Sequence, residues 1–323
     1  MTTPTWSDTI DTIFTSTWAN RKTTATKQAF EKTPFIYWLR EKGRISQEPW
    51  GTRIEIPLEY GSNDTLKWIT KGDTVPITDS ELLTMAYETY KTVAVSVVRW
   101  LADDQKNRGK HQVINLVDTK LGAAERALWE EFERVMFANG TGVNEPNGLQ
   151  NIISATPTTG TIHGLNRATY DWFRNQQKTA TGAFSLYGLT DMRTCMNDIS
   201  IYAQAELKDI AVVTTQQIFE WYEDECMEIK QIQNQMMADA GFTTLTFKGK
   251  PLMWCPSAPT GNVYFINSNY LKFYCDPDYW MEMTDWKQIP NQAFDKVAQI
   301  VCSVQMVCSR PIVQKVLTGV TTY

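Results

Sequence analysis

Arg53-Ile54-Glu55-Ile56-Pro57-Leu58-Glu59-Tyr60, and further on the odd-numbered series Tyr87, Thr89, Val93, Val95 and Val97, are the stretches on which the fold turns. In the first, apolar residues alternate with charged residues and one proline; in the second, they keep to one parity. Both have the period of two that sends successive side chains to opposite faces of a strand. Together they predict the two arms of a hairpin within residues 51–100. The excursion between them, Gly61 to Thr84, far exceeds the roughly two to five residues that close most hairpins. A ribbon of that length projects beyond the core its own chain can build, and such a ribbon is expected to pack on a neighbour.

Immediately afterwards the period changes. Val113, Val117, Leu121, Ala124, Leu128, Phe132 and Val135 step by three or four, the spacing of one helix face, and Asn139-Gly140 supplies a stop that tolerates left-handed backbone. The predicted helix runs from about His111 to Ala138, roughly 40 Å at 1.5 Å per residue. Its other face carries Asp118, Lys120, Glu125, Arg126, Glu130, Glu133 and Arg134, which reads as solvated.

On either side the signals are shorter. Residues 1–50 read as an extended arm anchored by Phe35, Ile36, Trp38 and Leu39, with Pro34 interrupting any helix through Lys27–Arg40. Thr190 is placed to cap a helix whose Met192, Cys195, Met196, Ile199 and Tyr202 share a face. Ile210 to Val213 is a short strand, and Thr214-Thr215-Gln216-Gln217 reads as a capping box opening a further helix through Ile218, Phe219, Tyr222 and Cys226. Strands follow at Phe242–Phe247, Leu252–Trp254, Val263–Ile266 and Leu271–Tyr274. A last long strand keeps Ala298, Ile300, Cys302, Val304, Met306 and Cys308 on one apolar face until Pro311 ends it.

Composition narrows the chemistry. The chain of 323 residues is 42% hydrophobic and 21% charged, with a net charge of −5 from evenly mixed acids and bases, which argues against a dedicated nucleic-acid binder. Met1-Thr2-Thr3-Pro4-Thr5-Trp6 lacks the marks of a secretory signal, and no apolar run approaches the roughly 20 residues of a membrane span, so a cytosolic product is expected. Cys195, Cys226, Cys255, Cys275, Cys302 and Cys308 form no Cys-x-x-Cys pair and there are two histidines, His111 and His163; buried free thiols are the reading, not a zinc site or a disulfide framework. Gly140-Thr141-Gly142 with Gly148 lacks the strand-to-helix context of a phosphate loop. Glu130 with Glu133, and Glu223 with Glu225, stand at helix-surface spacing. No catalytic, cofactor-binding or metal-ligating set is predicted. The many aromatics alone leave a glycan-binding protein or a β-rich hydrolase open.

The order of these parts resembles the major capsid protein of tailed bacteriophages. The connector Asn139-Gly140-Thr141-Gly142-Val143-Asn144-Glu145-Pro146-Asn147-Gly148-Leu149 is similar to that family's glycine-rich stretch after its long helix. Ile210-Ala211-Val212-Val213-Thr214 resembles its axial strand, and Lys248-Gly249-Lys250-Pro251-Leu252 its later turn. The resemblance implies an α+β Hong-Kong-97-type capsid fold with an N-terminal arm at 1–50 and an extended two-stranded loop at 51–100. A spine helix and connector at 101–165 would join 270–323 in a peripheral sheet domain, with an axial α+β domain at 166–269. It further implies a non-enzymatic subunit of the virion, assembling with itself into pentamers and hexamers in the host cytoplasm around double-stranded DNA touched without sequence preference. A separate scaffolding protein, a portal and a decoration protein are implied partners; a membrane and cofactors are not. The same fold also implies the alternative of an encapsulin-type nanocompartment shell. Inter-subunit contact is expected at Lys67, Trp68 and Lys71 on the excursion. Some relatives crosslink a loop lysine to an asparagine with the help of a glutamate, but no partner asparagine or glutamate is matched here.

Overall fold

A computed structural model describes residues 33–49, 51–61, 65–75, 77, 82–100, 110–142, 144–203, 209–226, 245–292 and 295–323, with backbone alone at 110–118 and 203. The expected arm falls outside these residues as far as position 32, and the expected strand at Phe242–Phe247 does so at 242–244. From Thr33 onward the chain is part of the body. Pro34 opens the helix Pro34–Glu41 instead of interrupting one, because the first helical position needs no N–H and favours proline's fixed φ. Phe35, Ile36, Trp38 and Leu39 are buried, as their clustering predicts, and Ile45–Gln47 continues as a strand parallel to Leu271–Cys275.

The hairpin is present, with one correction. Ile54–Glu59 pairs antiparallel with Leu83–Glu88, Ile54 opposite Glu88 and Glu59 opposite Leu83. The second predicted arm, however, is two strands. After Thr89 and Tyr90 the chain changes partner, and Lys91–Arg99 runs antiparallel to the long strand Lys296–Cys308, from Lys91 opposite Val304 to Arg99 opposite Lys296. The parity of apolar residues continues through this handover, so the sequence pattern does not register it.

Lys296–Cys308 is the common partner of its sheet, pairing also with Leu271–Cys275, Glu282–Met283 and Lys287–Gln288. Its two faces differ. Ile300, Cys302, Val304, Met306 and Cys308 join the main core with the helix Lys110–Met136, whose Leu121, Ala124, Leu128 and Phe132 make the expected stripe. Burying each large side chain there contributes about 1.5–3 kcal/mol. Val113 and Val117 lie outside the described side chains. The solvated-face expectation fails at Glu125, which is 7% exposed, and at Lys120, whose Nζ donates to the Val98 carbonyl at 2.9 Å.

The second sheet has the order Gln176–Thr179, Lys315–Thr318, Val263–Asn267, Ile210–Thr214, Lys250–Trp254, Leu245–Phe247. Ile210–Thr214 is buried throughout because both of its faces are covered. Ile210 and Val212 meet a core with Met192, Cys195, Ile199 and Phe219 from helices Leu189–Ala203 and Gln216–Cys226, whereas Ala211 and Val213 face the main core. Tyr202, expected on the buried face, is 45% exposed. Thr190 lies inside its helix, where its carbonyl accepts from Thr194 Oγ1, and is not a cap. Nor does the capping box form: the Thr214 hydroxyl donates to the Asn262 carbonyl at 3.2 Å instead of serving the helix. The strand Lys315–Thr318 follows the turn at Pro311–Val313 and pairs with this second sheet, although the expected peripheral segment ran over 270–323.

Candidate assembly interface

The root of the hairpin is held by a buried polar cluster. Glu88 ends the second hairpin strand, and its Oε1 accepts from Asn147 Nδ2 at 2.7 Å and from the His163 backbone N–H at 3.1 Å. His163 Nδ1 stands 3.1 Å from the same oxygen, while His163 Nε2 accepts the Cys308 backbone N–H at 3.0 Å. A ring nitrogen that accepts carries no proton, so Nδ1 is the N–H that donates to Glu88. Gln305 Nε2 donates to the Thr89 carbonyl at 3.0 Å, and its Oε1 accepts from the Asn147 N–H at 2.8 Å. Burial pushes the Glu88 carboxyl up, but the His163 and Asn147 hydrogen bonds together outweigh it and hold the group below its ordinary value.

Backbone shape supports the same point. His163 has φ +49° and Gly164 φ +76°, the left-handed pair that closes the tight turn between Thr161–Ile162 and Leu165–Asn166. Gly164 leaves room for the Tyr87 ring: a Cβ there would fall 2.4 Å from Tyr87 Cε1. Tyr87 N–H donates to the His163 carbonyl at 3.1 Å, and the Arg53 guanidinium lies 5.2 Å above the Tyr87 ring. Ile54, wholly buried, packs with Tyr274 and Val307 on the face of the long sheet turned away from the spine helix. These contacts fix the direction in which the hairpin leaves the body.

Beyond the paired strands little is covered. Trp68 is 94% exposed, Ile77 99% and Leu66 87%, with Ile69, Val75 and Leu83 also exposed. Scattered exposed apolar side chains are ordinary, but this concentration on one projection makes it the candidate contact surface. The three residues singled out by sequence are all on it. Lys67 Nζ lies 4.0 Å from Asp73, Trp68 points to solvent, and Lys71 is exposed beside Gly72, whose φ is +97°. The structure places them on one tip and does not bring them to any second site among the described residues.

A groove runs along the root of the hairpin. One part, about 360 Å³, lies between Glu55, Ile56 and Pro57 and the sheet residues Lys272, Tyr274 and Val307. The adjoining part, also about 360 Å³, lies between Glu59 and Tyr60 and the residues Trp172, Tyr202, Tyr270 and Arg310. Tyr60 stacks on Trp172 with ring centroids 4.9 Å apart. Sequence reading did not single out Glu88, His163 or this groove. The available signal was a carboxylate ending an alternating strand, which resembles any solvent-facing residue. Among the described residues no cluster of metal-ligating side chains and no helix long and apolar enough to cross a membrane is present.

No family model and no curated protein matches the sequence. Solved structures do match. The cyanophage A-1(L) capsid subunit is similar over 90% of this chain and 94% of its own at 14% identity, with a TM-score of 0.65. The mature capsid of bacteriophage PhiM1 is similar over 86% of each chain at 12% identity and a TM-score of 0.55. The SrpI encapsulin of Synechococcus elongatus PCC 7942 is similar over 88% of this chain and 89% of its own at 14% identity and a TM-score of 0.52. With its projecting hairpin, long helix and two sheets in the same arrangement over nearly the whole length, the chain has the α+β Hong-Kong-97-type capsid fold.

Proposed function

We propose that the chain is a shell subunit, the major capsid protein of a tailed bacteriophage, assembling with itself into pentamers and hexamers of an icosahedral head around double-stranded DNA. The observation that carries this reading is the hairpin: its root is clamped by Glu88, His163 and Gln305, while its tip leaves Leu66, Trp68 and Ile77 uncovered. A firmly held projection with an apolar end acquires its burial when another copy covers it, and many modest contacts of this kind sum over a shell. The role is structural, not enzymatic. A scaffolding protein, portal and decoration protein belong to the same reading, as do assembly in the host cytoplasm, residence in the virion and sequence-independent contact with packaged DNA through scattered Lys and Arg. Lys67, Trp68 and Lys71 are assigned to inter-subunit contact. The residue ranges given above for arm, loop, peripheral and axial domains are proposed with three changes: the arm gives up Pro34–Glu41 and Ile45–Gln47 to the body, the loop gives up Lys91–Arg99 to the long sheet, and the peripheral segment gives up Lys315–Thr318 to the second sheet.

The similarity to an encapsulin favours one second reading, a nanocompartment shell that encloses protein cargo. Electron microscopy of the purified protein tests the shared part: shells, rings or sheets are expected, and a chain monomeric under every assembly condition overturns it. Particle contents separate the two: nuclease-protected DNA supports the phage head, and an enclosed enzyme the nanocompartment.

A further inference from the structure

We propose that Asn139 is a self-modification site: its side-chain amide is lost to attack by the Gly140 backbone nitrogen, leaving aspartate or its β-linked isomer isoaspartate, while the chain's other Asn-Gly pair, Asn147-Gly148, is protected. The inference is independent of the shell-subunit reading, because the chemistry needs a single copy.

Asn-Gly favours this reaction because glycine has no Cβ to hinder the approach of its nitrogen and reaches backbone angles that other residues avoid. The sequence holds two such pairs, both in the connector after the long helix, and the structure treats them oppositely. Asn139 is exposed, and Gly140 has φ +66°. Asn139 Oδ1 accepts from the Thr141 backbone N–H at 3.2 Å and from Thr141 Oγ1 at 2.8 Å. When the Gly140 nitrogen adds to Cγ, that oxygen takes up the negative charge, so both donors already point to where charge develops. Asn147 is instead tied at every polar atom that would have to move. Its Nδ2 donates to Glu88 Oε1 at 2.7 Å, its Oδ1 accepts from Asn151 Nδ2 at 2.8 Å, and its N–H donates to Gln305 Oε1 at 2.8 Å. Gly148 is wedged against the end of the long helix, where a Cβ would fall 2.3 Å from the Ala138 carbonyl oxygen. Attack at Asn147 therefore requires it to leave the clamp on the hairpin root.

The atoms balance with water as the one co-reactant. The Gly140 nitrogen gives its proton to solvent and bonds to Asn139 Cγ; the Cγ–Nδ2 bond breaks, Nδ2 takes a proton and departs as ammonia, and a cyclic imide remains. Water then adds to either imide carbonyl and breaks that carbon's bond to nitrogen, which gives isoaspartate or aspartate. Nothing is oxidised or reduced. The product places a new carboxylate just past the C-terminal end of the helix Lys110–Met136, where the helix dipole is negative and Glu131 and Glu145 already engage Arg134 at 2.7 Å each. The added charge thus arrives where its surroundings disfavour it, and isoaspartate also reroutes the main chain through a side-chain carbon.

The test holds the native full-length protein at mildly alkaline pH and physiological temperature for several weeks. No lysine or arginine lies between Arg134 and Arg167, so one tryptic peptide carries both pairs, and its fragmentation by mass spectrometry assigns each new acid. Asn139 is expected to convert at least about tenfold faster than Asn147, which reacts only in locally opened molecules. In concentrated urea, with the clamp gone, the two rates should come within about threefold of each other. Equal rates in the native protein overturn the proposal, and so does an Asn139 that converts more slowly folded than in urea. Thr141→Val removes the hydroxyl donor at an exposed position and should slow conversion about fivefold, less than the roughly hundredfold of a donor in a dry site; Thr141→Ser should restore the rate. An unchanged rate in Thr141→Val overturns the part given to Thr141.

Discussion

Glu88 and His163 meet across 75 residues of sequence, carboxylate to imidazole at 3.1 Å, where the hairpin gives way to the long sheet. The other imidazole nitrogen is bound to the backbone of Cys308, so three separate segments converge on one ring and one carboxylate.

Replacing Glu88 by Gln should therefore cost about 1–3 kcal/mol near neutral pH, since His163 and Asn147 lose a charged acceptor. The pH dependence has a definite sign. The folded-state carboxyl lies below its ordinary value of 4.5, so its stabilisation is full above that value and is lost as pH falls through the lower folded value. Urea unfolding of both proteins should show the gap narrowing on acidification below about pH 4.5; a gap that widens there would contradict the assignment.

Ile54→Ala should loosen the hairpin more than the body. Ile54 is wholly buried, but in a small cluster with Tyr274 and Val307 that is separate from the main core. A loss of about 2–4 kcal/mol confined to that cluster should make proteolysis between residues 54 and 88 faster while global unfolding shifts little. Phe132→Ala in the main core is the contrasting variant, expected to lower global stability by about 3–5 kcal/mol.

Gly148→Ala should be far more damaging than Gly43→Ala. A Cβ on Gly148 would fall 2.3 Å from the Ala138 carbonyl oxygen and 2.5 Å from that of Val135, backbone that has no room to move, whereas Gly43 has open space and carries only the cost of φ +64°. That cost is about 1–2 kcal/mol. Soluble yield and thermal unfolding compare the two, and equal behaviour would show that the connector gives way more easily than its contacts imply.

Cys226 should react first with a thiol reagent in the native protein. It is partly exposed, whereas Cys195, Cys255, Cys275, Cys302 and Cys308 are buried. Burial also pushes the thiols of Cys255 and Cys308 up to about 12, leaving almost no thiolate at pH 8. One prompt equivalent followed by release of the rest on unfolding is the expected time course, measured by absorbance.

Trp68→Ala should leave the isolated chain's unfolding within about 0.5 kcal/mol of the parent, because its ring touches little of its own chain, and should reduce particle yield. Unchanged assembly would remove the tip from the interface.

What the sequence disclosed follows its periodicities. Alternation at Ile54–Tyr60 and the three-and-four stepping from Leu121 to Val135 each reflect one partner surface, and both survive in the structure. The handover at Thr89–Tyr90 is invisible because the apolar residues keep one parity across it and only the partner changes. Pro34 misled because proline breaks a helix from within yet begins one well, and spacing alone does not say which applies. The failed capping box at Thr214 depends on Asn262, a residue no local pattern includes. Lys67, Trp68 and Lys71 were legible as exposed residues because exposure follows from the length of the excursion. The clamp of Glu88, Asn147, His163 and Gln305 was not, since its members share no segment and each looks ordinary in its own.

The strand Lys315–Thr318 lies between Gln176–Thr179 and Val263–Asn267, so a late segment of the chain fills an inner place in its sheet. Without that segment the remaining strands fall into two pieces, each with a bare edge, so a chain cut before Lys315 is left with an open slot inside the sheet and not merely a shorter border.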